Sequence, residues 1–150
     1  MFLLDTNHCS LIMQGNTSVL EHLRALGQTP VMTCVVVQGE LILMAERSAR
    51  KTENRRMVDA FLRQLTIFSI DQITAHTYGT LKAAILQRFG PKEKAKQRHT
   101  ALHQLGFSEN DLWIAAIALQ YQLTLVSMDS DFQRMQAVVS IPTVRWDLPQ

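Results

Sequence analysis

Two rhythms of apolar and polar residues alternate along the chain: short apolar runs, and longer stretches with helical spacing. Met1, Phe2, Leu3 and Leu4 form the first run, which ends at Asp5 and predicts a short buried strand. Residues 7–14 then predict a short helix closed by Gly15 and Asn16, and Thr17 or Ser18 is placed to cap a second helix ending near Leu26. After Pro30 the β-branched stretch 31–37 begins as strand and passes without a turn signal into the helix formers of 40–45. The spacing predicts a change from strand to helix between Thr33 and Val35. Glu40 then falls inside an apolar helix, where a buried carboxylate needs a partner or a cation.

Met57, Val58, Phe61, Leu62 and Leu65 recur at helical spacing, and residues 66–70 read as a third strand. Asp71 is placed to cap a longer helix with Ile73, Tyr78, Leu81, Ala84, Ile85 and Phe89 on its apolar side, ended by Gly90 and Pro91. The stretch 112–119 is nearly all apolar, so it predicts a helix buried on most sides, with Asp111 at its mouth. Residues 123–126 predict a fourth strand, 132–135 a short helix and 143–146 a last strand. Strands separated by helices point to a single α/β domain over residues 1–150, with a parallel central sheet of four to five strands covered on both faces.

Composition adds little to this picture and removes some alternatives. A chain of 150 residues with 47% hydrophobic content is large enough to bury one core without staples. The first apolar run is too short for a signal peptide, and no run approaches the ~18 residues of a membrane helix, so a cytoplasmic protein with no membrane partner is expected. Cys9 and Cys34 lack metal-knuckle spacing and read as buried free thiols, with a disulfide between them as the alternative. A net charge of +2 permits an anionic partner without arguing for one. The distribution is more informative: Arg88, Lys92, Lys94, Lys96 and Arg98, with His99 and His103 following, make the strongest positive cluster, which reads either as a solvated face or as a phosphate-contacting arm. His99 and His103 have ligand spacing but no intervening catalytic glutamate, which argues against a zinc site.

The candidate chemistry lies in carboxylates. In open α/β sheets the carboxyl ends of the strands and the starts of the following helices face one crevice. Asp5, Asp111 and Asp129 occupy such positions and Glu40 lies about one turn into a helix that starts there. Clustered carboxylates raise one another's pKa values and become tolerable around a divalent cation. An all-oxygen donor set favours Mg²⁺ or Mn²⁺ over zinc, and such a site suits phosphodiester hydrolysis. Each aspartate has a plainer role open to it: Asp5 as a helix cap, Asp111 as a complement to the helix dipole, and one of Asp129 and Asp131 as a turn residue. Thr6, Asn110 and Ser127 are placed either to support the carboxylates or to satisfy local backbone.

Leu4-Asp5-Thr6-Asn7, then Gly39-Glu40-Leu41, then Asn110-Asp111-Leu112-Trp113-Ile114-Ala115-Ala116, then Leu125-Val126-Ser127-Met128-Asp129-Ser130-Asp131-Phe132 together resemble the PIN domain in order and spacing. More narrowly they resemble the VapC-type toxins of bacterial type II toxin–antitoxin pairs. The resemblance covers nearly the whole chain and implies a three-layer α/β/α fold. Asp5, Glu40, Asp111 and Asp129 match the acidic set, with Asp5, Asp111 and Asp129 as metal ligands, and Thr6, Asn110, Ser127 and Asp131 as supporting positions. The implied activity is Mg²⁺- or Mn²⁺-dependent endonucleolytic cleavage of RNA, commonly transfer or ribosomal RNA. The implied partners are a second copy of the chain and a cognate antitoxin that covers the active site.

Two features depart from that pattern. Val36 and Val37 stand where many relatives carry Ser or Thr, which removes a hydroxyl near the site. Between Phe89 and Phe107 the chain is longer than in the shortest such toxins, and the added part is the basic segment, whose residues Arg88, Lys92, Lys94, Lys96 and Arg98 would hold RNA. A phosphoacceptor domain also places aspartates at strand ends, but receivers want adjacent acids after the first strand, and dehalogenase-type phosphatases want an Asp where Asn7 stands. A PIN-fold binding module without hydrolysis is the remaining competitor, and DNA is the remaining alternative substrate.

Overall fold

The computed structural model of the chain describes residues 1–147. Its frame is a sheet of five parallel strands in the order β3-β2-β1-β4-β5. β1 is Phe2–Leu4, β2 Val31–Cys34, β3 Thr66–Phe68, β4 Thr124–Val126 and β5 Thr143–Val144. The central strands are built from residues such as Leu3, Leu4, Met32, Cys34, Leu125 and Val126, all buried, because parallel strands covered on both faces exclude water from both sides.

The helices divide into two layers. α1 (Thr6–Met13), α2 (Thr17–Ala25), α3 (Val35–Glu46) and α4 (Lys51–Leu62) pack among themselves, while α5 (Gln72–Phe89), α7 (Glu109–Gln120) and α8 (Ser130–Met135) form the second group. α6 (Lys94–Gln97) is a single turn in the connection between them. The result is a three-layer α/β/α sandwich, the fold class expected from the alternating pattern. α7 is the most deeply placed helix, with Leu112 and residues 114–118 all buried. No helix among the described residues is long and apolar enough to cross a membrane.

Several local expectations shift by a residue or a turn. Asn16, not Thr17 or Ser18, caps α2, accepting from the Val19 N–H at 3.2 Å. Ile73 is 63% exposed and leaves the apolar side of α5, because the buried stripe runs through Thr74, Leu81 and Ile85, with half-buried Tyr78 beside it, and Ile73 is one residue out of phase. Leu65 lies beyond the end of α4, the third strand stops at Phe68, and the last strand stops at Val144. Trp146 is instead buried beyond the sheet, its ring edge-on to Phe2 and stacked on His22. Cys9 and Cys34 are buried free thiols, not a disulfide, and burial pushes the Cys34 thiol up to about 11.

The strand order reverses between β1 and β4, which sets the ligand crevice at their carboxyl ends. Leu4 is in register with Val126, and the Asp5 N–H donates to the Val126 carbonyl at 3.2 Å, so Asp5 and Ser127 leave the sheet at one level. β2 runs directly into α3, which carries Glu40 back over the same end of the sheet. Gly106 sits at φ +73 after the 3-10 turn Leu102–Leu105, a backbone state that side chains disfavour, and a Cβ there would meet the Arg134 guanidinium at 3.3 Å. That tight turn aims the chain into α7.

Candidate active site

An open cleft of about 360 Å³ lies at the switch point, and Asp5, Thr6, Glu40, Ser108, Asp111 and Asp129 all line it. Four elements deliver these side chains: the end of β1, the second turn of α3, the first turn of α7 and the loop after β4.

Asp5 is 4% exposed and serves as N-cap of α1. Its Oδ1 accepts from the His8 N–H at 2.7 Å and faces the His8 Nδ1 at 3.0 Å. Glu40 is half-buried, and its two oxygens are divided between two donors. The Thr6 hydroxyl donates to Oε2, and the Asn110 amide donates to Oε1 at 2.6 Å. The cost of placing a carboxylate on an apolar helix is thus offset by hydrogen bonds from two other elements.

Asp111, Asp129 and Asp131 each bring one carboxylate oxygen within 4.8 Å of the others. Asp129 caps α8, its Oδ1 accepting from the Asp131 N–H at 2.8 Å. Asp131 is shared between this cluster and the scaffold: Arg134 Nη1 donates to it at 3.1 Å and the Ser108 N–H at 3.3 Å. Ser127 Oγ accepts from the Asp129 N–H at 3.0 Å, so it shapes the turn and leaves the carboxylates alone. Asp111 is pushed up to about 7, first by burial and then by the negative charges of Asp129, Asp131, Glu40 and Asp5.

The donors are carboxylate oxygens, with no thiolate and no imidazole among the lining residues. This set suits a hard divalent cation, and the crowding that raises Asp111 is the charge imbalance a cation would relieve. The acidic cluster could hold a metal.

Two contributors escaped the sequence reading. His8 is fully buried against Asp5, and the available signal was a histidine three residues past a capping aspartate, on the same face of a helix start. Ser108 lines the cleft and was hidden in the loop before α7. The basic segment is exposed at Arg88, Lys92, Lys94, Lys96 and Arg98, and Lys96 pairs with Glu93 at 3.0 Å. Its far end returns through Phe107, which packs on Phe89, to Ser108 at the cleft.

A parallel sheet in this order with carboxylates gathered at its switch point is a nuclease-like frame, and the family comparison is specific: the PIN domain model matches residues 2–138. The chain belongs to the PIN domain family. It is 29% identical over 147 residues to Ribonuclease VapC2 of Haemophilus influenzae, covering 97% of each chain. Among solved structures it is similar to DNA-bound VapBC from Salmonella typhimurium, with a TM-score of 0.78 at 22% identity over 97% of each chain. It is also similar to VapBC2 from Rickettsia felis bound to a promoter DNA fragment, with a TM-score of 0.75 at 23% identity over 97% of this chain and 98% of that one.

Proposed function

We propose that the chain is a divalent-cation-dependent endoribonuclease and the toxin of a type II toxin–antitoxin pair. One observation carries this reading: Asp5, Glu40, Asp111 and Asp129 line one cleft at the switch point of a PIN-family sheet. The similarity to a VapC ribonuclease over 97% of each chain supports RNA as the substrate class; transfer or ribosomal RNA is the target we propose within it.

Asp5, Asp111 and Asp129 would hold Mg²⁺ or Mn²⁺, with Asp131 beside them. When bound, the cation supplies positive charge to a phosphoryl oxygen and makes water a better nucleophile at neutral pH. The remaining chemistry falls to the chain. Asp111, pushed up to about 7 in the metal-free fold, would bind a cation as the carboxylate, so loading would release whatever proton it still carries. Glu40 keeps a free lone pair on each oxygen beyond those given to Thr6 and Asn110, so it can orient an entering water and take its proton. The water oxygen bonds to phosphorus as the ester P–O bond breaks, and the leaving oxygen is protonated from solvent at the open side of the cleft.

The basic segment from Arg88 to Arg98 supplies the attraction for phosphate that a carboxylate cleft lacks. Leu43 and Met44, 55% and 50% exposed, give the cleft an apolar rim suited to a covering antitoxin. A homodimer of this toxin is part of the same proposal. Induced expression in a bacterial host tests the reading: the wild-type chain should arrest growth with new RNA ends, while Asp111→Asn, expressed to the same level, should do neither. Equal arrest by both would contradict it.

A further inference from the structure

His8 is an imidazole with 0% exposure at the start of α1, a place where an aliphatic side chain would bury without polar cost. Both ring nitrogens are engaged. Nδ1 lies 3.0 Å from Asp5 Oδ1, and a nitrogen facing a carboxylate oxygen at that distance is the donor. Nε2 receives the Trp146 backbone N–H at 3.4 Å, which makes it the acceptor and fixes the tautomer. Asp147 Oδ1 is 3.9 Å from Nε2, beyond hydrogen-bond reach, and Arg145 already holds the Asp147 carboxylate with contacts of 2.6 and 3.0 Å. The Trp146 indole braces the ring edge-on, with centroids 6.4 Å apart, and is itself held by Phe2 and His22.

Capping α1 does not require this ring. The His8 backbone N–H alone makes the cap bond to Asp5 Oδ1, at 2.7 Å, and any residue at that position would supply it. The imidazole adds a second donor to the same oxygen. Both side-chain hydrogen bonds of Asp5 therefore fall on Oδ1, and Oδ2 is left without a protein donor among the described residues, on a side chain that lines the cleft.

We infer that His8 is a positioning residue for Asp5: the buried ring, held from behind by the segment after β5, pins Oδ1 inward and commits Oδ2 to the cation site. The chain's last described segment thereby acts on its first acidic residue. This inference rests on the cation-site reading of the cleft.

The test is Mn²⁺ binding to the full chain by calorimetry, with three substitutions chosen for donor position. Asn at this position offers an amide N–H near Nδ1, Gln offers it near Nε2, and Leu offers none. His8→Gln and His8→Leu should weaken Mn²⁺ binding about 10–100-fold while His8→Asn stays near wild type. Thermal unfolding of each metal-free variant shows which are folded, and the polar pair carries the comparison if His8→Leu is not. Folded His8→Gln with wild-type affinity, or His8→Asn as weak as His8→Gln, overturns the positioning role and leaves the cation site standing. Wild-type protein that takes up no Mn²⁺ overturns both.

Discussion

Asn110 on α7 and Glu40 on α3 meet across the cleft, the amide of the first donating to Oε1 of the second at 2.6 Å. The bond ties together two helices from opposite layers of the sandwich and fixes where the glutamate points. Asn110→Ala should slow RNA cleavage about 10-fold or more, the usual scale for removing a group that orients a catalytic residue. Because Asn110 is exposed, stability should change by no more than about 0.5 kcal/mol. Asn110→Asp, which sets a like charge against Glu40, should be slower still. Cleavage rates and urea unfolding of the same preparations check both halves.

The position of Asp111 makes the metal-free protein pH-dependent. Its carboxyl is pushed up to about 7 in the fold, against an ordinary 3.8, by burial and by Asp129 and the other cleft acids. Between those values the folded chain keeps a proton that the unfolded chain has released, so this group's contribution is fully present at low pH and is lost as pH rises through about 7. Asp111→Asn removes the effect. In EDTA the variant should be more stable than wild type at pH 8, by on the order of 1 kcal/mol once solvent screening is allowed for, and the gap should close by pH 4. Parallel stability curves would contradict this.

Arg134 connects α8 to the loop that enters α7. It donates to the carbonyls of Gly106 and Leu105 at 2.8 and 2.7 Å, pairs with Asp131 at 3.1 Å and stacks its guanidinium 4.0 Å from the Phe107 ring centroid. Arg134→Ala should cost about 2–3 kcal/mol by chemical denaturation. Arg134→Lys should recover only part of it, because an ammonium cannot make the fork and the stack together.

The basic segment should be felt in salt dependence before it is felt in chemistry. Neutralising Lys92, Lys94, Lys96 and Arg98 together should lower the slope of log affinity for RNA against log salt by roughly 2, since Lys96 is already paired with Glu93. An unchanged slope would remove the segment from the RNA path.

The frame was legible because parallel strands and buried helices leave strong apolar signals: 112–119 could hardly be other than a buried helix, and residues 31–35 carried both the strand and its abrupt turn into α3. Asp5, Asp111 and Asp129 were visible because each stood where apolar structure met a loop, and Glu40 because it interrupted an apolar helix. What stayed hidden depends on distances between remote segments. The ring of His8 acquires its part only when Trp146 arrives behind it, and a histidine among the polar residues that open α1 carries no sign of that distant contact. The placement of Asp131 beside Asp111 and Asp129 could not be separated from a capping role, because Asp131 touches both the cluster and Arg134. Ile73 was misassigned because one residue of phase turns a helical side chain by about 100°.

The central claim is that the carboxylates of the cleft form one cation-dependent ribonuclease site. Purified protein, free of antitoxin, should be incubated with total cellular RNA in Mg²⁺, Mn²⁺ or EDTA, beside Asp5→Asn and Asp111→Asn proteins shown to be folded. The account predicts discrete cuts with either cation, none in EDTA and none with either variant. Cuts that persist in EDTA or in both variants would contradict it, and no cuts under any condition, whatever RNA is offered, would leave a PIN-fold binding module in its place.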